Sequence, residues 1–264
     1  MSAPLGRRSA KVAAREQHGA YTVIRCHDAV GPHPRAGQFY MLASAERWGG
    51  GEGERPFLPR AFSVLRGAGR ELHFMIEDVG PGTKRLCELA PGEELLLVGP
   101  LGNGFSPPRE DREALLVGGG VGIAPLAIWQ DELGTATKAL LGFRDRTHAA
   151  GAALLSAPTV ATDDGSVGHH GLITELLADE LDERGERVEV YACGPPAMLE
   201  TVRAMCVERA VPAQLALESG MACGFGACFG CVVPTVDGYV RLCMDGPVLD
   251  AEILRTAAPA GAGH

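Results

Sequence analysis

Aromatic residues are scarce in this 264-residue chain: two Trp, four Tyr and eight Phe make up 5% of it. Basic residues are outnumbered too, 24 Lys plus Arg against 33 Asp plus Glu, a formal charge of −9. With no long Lys/Arg block, neither a nucleic acid nor an anionic membrane surface is an expected partner. No apolar run reaches the roughly 18 residues of a spanning helix, so no membrane is expected either. No signal peptide is expected from the first residues either. Arg7-Arg8 is followed by Ser9, Lys11, Arg15 and Glu16, polar where an apolar stretch belongs, so a cytoplasmic location is expected. At 46% hydrophobic the chain is not disordered. Eight cysteines in a reducing compartment point to metal or redox chemistry rather than a disulfide framework.

The first half reads as short strands with turn punctuation: Tyr21–Ile24, Gln38–Leu42, Ala61–Leu65, Glu71–Ile76 and Glu94–Val98. Strands at this spacing predict a small antiparallel β-barrel over residues 1–110, with Gly49–Pro59 as a flexible insertion. From Ala114 the pattern changes to strands alternating with helices, which predicts a parallel sheet of Rossmann type over residues 111–212. Residues 213–264 are Cys- and Gly-rich and read as a third small domain. The fold class is thus α/β plus β.

Cys223, Cys228 and Cys231 are spaced C-x4-C-x2-C, and Cys243 follows after eleven further residues. Four thiolates in such a loop suit a 2Fe–2S cluster, and the interleaved glycines let backbone N–H groups approach the sulfurs. A structural zinc knuckle is the competing reading, although zinc favours paired hooks over a three-cysteine loop. Cys26, Cys87 and Cys206 stand alone and read as ordinary core residues.

LLVGGGVGIAPL sets Gly118, Gly119, Gly120, Val121 and Gly122 between a buried strand and a helix. Glycine there allows close backbone approach, and the helix start offers N–H groups to a pyrophosphate. VYACGPPAM brings Cys193, Gly194 and Pro195 to the same sheet edge, with Cys193 able to face a nicotinamide. Asp145 is placed for a ribose hydroxyl but is flanked by Arg144 and Arg146, which leaves NAD versus NADP open. In the first half, RAFS (Arg60–Ser63) offers an Arg for a phosphate and a hydroxyl for a flavin nitrogen. GPGT puts Gly82 and Thr83 at a helix start. GPLGNGF (Gly99–Phe105) reads as an interdomain turn, and His169 and His170 as loop histidines.

In this order the motifs resemble the electron-transfer subunits of class B dihydroorotate dehydrogenase, in the ferredoxin–NADP reductase superfamily, over about residues 12–250. The resemblance implies an FAD-binding barrel, an NAD-binding domain and a 2Fe–2S domain. It carries FAD contacts onto Arg60, Ala61, Phe62, Ser63, Gly82, Thr83, Met75, Ile76 and Glu77. NAD contacts fall on Gly118–Gly122 and Cys193–Pro195, cluster ligation on Cys223, Cys228, Cys231 and Cys243. Ala61 stands where the family has proline, and Glu77 where a basic residue is common. The implied partner is an FMN-containing dihydroorotate dehydrogenase catalytic subunit, in a heterotetramer of two plus two serving pyrimidine (UMP) biosynthesis. The alternative is the small subunit of an NADH-dependent ferredoxin–NADP reductase or sulfide dehydrogenase.

Overall fold

The computed structural model describes residues 6–49 and 56–258. Most of the Gly49–Pro59 insertion, and the tail from residue 259, lie outside the described residues.

β1 (Arg8–His18) and β2 (Tyr21–His27) form an antiparallel hairpin that turns at Gly19, φ +60°. β3 (Phe39–Ser44), β4 (Arg60–Ser63), β5 (Arg66–Ala68) and β6 (Glu71–Glu77) follow, then helix α1 (Pro81–Cys87) and β7 (Glu94–Leu101). Together they make one seven-stranded antiparallel sheet, ordered β4-β3-β7-β1-β2-β6-β5. The sequence explains the choice: β7 buries every second residue, the period of a strand with one face on a core. The end strands β4 and β5 share no ladder among the described residues. The residues joining them bond to both ends of the sheet, Val64 N–H donating to Gln38 O at 3.1 Å and Leu65 N–H to His73 O at 2.9 Å.

The second sheet is built from β8 (Glu113–Gly119), α2 (Ala124–Leu133), β9 (Lys138–Phe143), α3 (Arg146–Ala149), β10 (Thr159–Thr162) and β11 (His169–His170). It continues with α4 (Ile173–Arg184), β12 (Val188–Cys193), α5 (Pro196–Glu208) and β13 (Ala213–Ala216). The hairpin β14 (Val232–Thr235)–β15 (Gly238–Arg241) stands apart, and β16 (Val248–Asp250) returns to the sheet edge. The order is β11-β10-β9-β8-β12-β13-β16, parallel except for β16. β12 is buried at all six positions, as a strand covered on both faces must be. β8 has β9 on one side and β12 on the other, so the chain reverses direction across it, where open parallel sheets hold ligands beyond their carboxyl ends.

Two sequence readings change. His169 and His170 are not in a loop; they form β11, and His169 Nε2 lies 2.7 Å from Glu175 Oε2. Residues 213–216 and 248–250, expected in the last domain, extend the parallel sheet.

Candidate functional site

Each glycine-bearing motif meets a second motif from elsewhere in the chain. At the first sheet, Gly82 enters α1 directly against the Arg60 guanidinium: a Cβ there would stand 2.9 Å from Arg60 Nε. Arg60 also lies over the Trp48 ring, 6.0 Å from its centroid, and donates to Leu58 O at 2.6 Å. The Thr83 hydroxyl accepts the N–H groups of Val79 and Gly80 at 2.9 and 3.0 Å, so its role is to shape the turn before the helix. Phe62 and Ser63 are half-buried and Ala61 is exposed, on a strand paired with β3 through Met41–Ala61 and Tyr40–Phe62. Met75 and Ile76 have buried side chains. Beyond His73 the far edge of β6 has no strand partner among the described residues, which leaves backbone groups of 74–77 for another acceptor or donor.

At the second sheet, β8 runs into Gly119 and a 3₁₀ turn over Gly120–Ile123 precedes α2. Gly122 touches the Cys193–Gly194 turn so closely that a Cβ would be 2.6 Å from Gly194 N and Cα. A Cβ on Gly119 would meet Pro195 Cδ and Met198 Sδ, both at 2.7 Å. These two glycines therefore serve loop-to-loop packing. Gly120 differs: it has φ +55°, and its nearest neighbour would be the Tyr21 hydroxyl of the first sheet, at 3.9 Å. That hydroxyl is buried and unpartnered, and burial, with Glu77 second, pushes its ionisation up. Asp145, near the position for a ribose contact, has one oxygen engaged within its own helix. It caps α3 by accepting His148 N–H at 3.1 Å, and its Oδ1 is 2.7 Å from His148 Nδ1, which holds the carboxyl down at about 2.

Cys193 is fully buried, and its thiol is raised by burial and then by the nearby Glu218 carboxylate. Glu218 is a residue near Cys193 that the sequence reading did not single out. It follows β13 at the carboxyl edge of the sheet and is exposed to solvent.

The four-cysteine segment comes together in two pairs. Cys231 and Cys243 sulfurs are 3.2 Å apart, and each sulfur accepts a backbone N–H: Cys243 N–H to Cys231 at 3.4 Å, Gly226 N–H to Cys243 at 3.1 Å. Burial raises the Cys243 thiol to about 12, with Cys231 adding to it. Cys223 and Cys228 form the second pair. Burial raises the Cys223 thiol, but amides of Phe225 and Cys228, the Cys228 thiol and the Ala227 amide outweigh it, bringing the thiol to about 6. A thiol pair whose sulfurs accept backbone N–H groups suits an iron–sulfur core. The loop is seated on the first sheet: Gly224, φ +77°, would place a Cβ 2.5 Å from Met41 Cγ in β3. Asn103, in the expected interdomain turn, donates from its backbone to Gly246 O at 2.5 Å and from Nδ2 to Met244 O and Asp245 O.

Residues 218–255 match the iron–sulfur cluster binding domain of dihydroorotate dehydrogenase B. Over most of its length the chain is 34% identical, across 239 residues, to the dihydroorotate dehydrogenase B (NAD(+)) electron transfer subunit of Clostridium perfringens, covering 88% of this chain and 90% of that one. The Caldanaerobacter subterraneus counterpart is 36% identical over 227 residues, 84% and 86% of the two chains. Among solved structures, an NADH-dependent reduced ferredoxin–NADP oxidoreductase superposes with TM-score 0.75 at 26% identity, covering 94% of this chain and 90% of that one. A Neisseria gonorrhoeae ferredoxin–NADP+ reductase with bound FAD and NADP shares the fold, with TM-score 0.62 and 18% identity over 77% and 91%.

Proposed function

The chain belongs to the electron transfer subunits of dihydroorotate dehydrogenase B, and from that premise we propose that it passes electrons between a catalytic partner subunit and NAD, using FAD and a 2Fe–2S cluster. The observation that carries this reading is the seat of the cysteine loop. It rests on Met41 of β3, the strand paired with the Arg60–Ser63 segment, so the thiol pairs and the flavin motif share one support. When bound, FAD converts the paired electrons of nicotinamide into the single electrons that iron–sulfur centres carry.

The chain's own residues then have separable tasks. Arg60, packed on Gly82, holds a pyrophosphate with charge-assisted bonds, while the free edge of β6 at Met75–Glu77 offers backbone groups to the flavin. Ser63 and Ala61–Phe62 line the isoalloxazine side. The Gly118–Gly122 loop and the Cys193–Pro195 turn form the NAD cradle, with Cys193 and Glu218 at its floor. Cys223, Cys228, Cys231 and Cys243 would hold the cluster, which would supply one-electron transfer. In this assignment residues 1–110 are the flavin barrel, 111–212 with the edge strands β13 and β16 the nucleotide domain, and the rest of 213–264 the cluster domain. The exposed Phe225, Phe229, Tyr239 and Met244 surround the cysteine loop, an apolar rim suited to a partner. That partner is the FMN-containing dihydroorotate dehydrogenase catalytic subunit, two copies with two of this chain, in the cytoplasm. No helix among the described residues is long and apolar enough to cross a membrane.

Anaerobic purification with flavin and iron analysis tests the reading. The expected product holds one FAD and two irons, and NADH gives it a reduced-cluster electron paramagnetic resonance signal. A colourless zinc protein overturns it. The structural likeness to the NADH-dependent reduced ferredoxin–NADP oxidoreductase favours one second reading, a small subunit of that enzyme class or of a sulfide dehydrogenase. The protein that co-purifies separates the two: a pyrimidine-oxidising subunit for the first, a larger flavin and iron–sulfur subunit for the second.

A further inference from the structure

His148, in the short helix α3 of the nucleotide-binding half, is buried against the first sheet. Its Nε2 lies 3.3 Å from Glu77 Oε1 at the end of β6, and its ring meets Tyr21 edge-on with centroids 5.7 Å apart. The backbone around it is pressed together. Ala20 N–H donates to Thr147 O at 3.2 Å, and a Cβ on Gly19 would fall 1.8 Å from that oxygen. A Cβ on Gly151 would stand 3.0 Å from the Tyr21 ring. Only glycine at 19 and 151 permits this approach, so the two halves meet here in one close-fitting seat with His148 at its centre.

The charges facing the ring fix its chemistry. Asp145 is an ionised acceptor 2.7 Å from Nδ1, so Nδ1 carries a proton. Nε2 has Glu77 on the opposite sheet and, 2.8 Å away, the Arg144 guanidinium from its own half. With a proton on Nε2 the ring bridges two carboxylates, one from each half. Without it, Arg144 donates to Nε2. Through Nε2 the ring reaches Glu77, two residues beyond Met75 on the edge assigned to the flavin. Tyr21, the remaining titratable neighbour, has its hydroxyl beside Gly120 of the nucleotide loop.

We infer that His148, through Glu77, is a positioning residue for the nicotinamide–flavin step: it sets the seat of the nucleotide loop on the flavin sheet. This rests on the FAD and NAD assignments above. Its signature is loss of the electron-transfer rate without loss of nucleotide affinity, since displacement by about 1 Å between bound reactants costs up to about a hundredfold in rate.

The test uses the full chain carrying flavin, with His148→Phe (ring volume kept, nitrogens lost), His148→Gln (an amide that can donate to Glu77 and accept from Arg144), Glu77→Ala and the double variant. Amide exchange at Ala20, bonded to Thr147, should speed up about tenfold in H148F without nucleotide, since local opening governs it. The limiting rate of flavin bleaching by NADH should fall about 10- to 100-fold, with the half-saturating NADH concentration moving less than about threefold. H148Q should regain most of both losses, and the double variant should be no worse than the poorer single one. Wild-type bleaching in H148F, a fall in affinity equal to the fall in rate, or additive losses in the double variant would each overturn the inference. A wild-type chain that NADH does not reduce defeats the assigned function instead, and the Ala20 exchange still decides whether His148 ties the two halves.

Discussion

Gly122→Ala tests the idea that the nucleotide cradle is two loops in contact. The added Cβ would sit 2.6 Å from Gly194 N and Cα and 2.7 Å from Cys193 C, all backbone atoms with no rotamer to yield. Ordinary contact begins near 3.4 Å, so the loops must separate by most of an ångström. Overpacking of this kind costs about 1–3 kcal/mol. If stability absorbs all of it, the melting temperature drops by roughly 2–12 °C for a chain of this size. If the loops part at the nucleotide instead, NADH affinity falls by about 5- to 150-fold. Thermal unfolding and the NADH dependence of flavin bleaching together capture both routes. Gly220→Ala is the control, because a Cβ there meets nothing within 4 Å. An unchanged melting temperature and affinity in G122A, or an equal loss in G220A, would refute the argument.

Arg60→Ala removes the cation packed on Gly82; the loss of charge-assisted bonds, about 1.5–3 kcal/mol, should weaken FAD by roughly 10- to 150-fold, read by flavin retention on dialysis. Cys243→Ser should abolish the visible cluster absorbance and one-electron acceptor reduction while NADH still bleaches the flavin; a retained cluster signal would remove Cys243 from the ligand set. Glu200 is held down at about 2 by Arg203, despite burial, and by Ala257 N–H and the Thr256 hydroxyl. Its folded value is depressed, so its stabilisation is complete above its ordinary 4.5 and is lost as pH falls toward 2. Urea midpoints of wild type and Glu200→Gln should therefore differ near neutrality and converge by about pH 2; a constant gap would contradict the assignment.

The elements that were legible in the sequence are those whose signal is local. The apolar β8 running into glycines, the buried β12 before Gly194-Pro195 and the spacing of Cys223, Cys228 and Cys231 can all be read from neighbouring residues. β1 escaped because only Ala10 and Val12 of its eleven residues are buried, so its apolar content is too thin to mark a strand. β16 has three residues and exists only because β13 offers it an edge, a contact between positions 34 apart. The contact of His148 with Glu77 was invisible for the same reason: the two residues lie 71 positions apart in the chain. Asp145 shows another limit of local reading, since its position does not reveal that its Oδ1 is engaged by His148.

The fit of Gly224 onto Met41 has a bearing on biogenesis. The sulfur-bearing segment is made last, yet its resting place is a strand made first. Iron delivery must therefore wait until the amino-terminal sheet has formed, and an excised peptide of residues 218–255 would present its thiols without the floor that shapes them. Substituting Met41, some 180 positions upstream, would then lower metal occupancy in cells while leaving every sulfur in place.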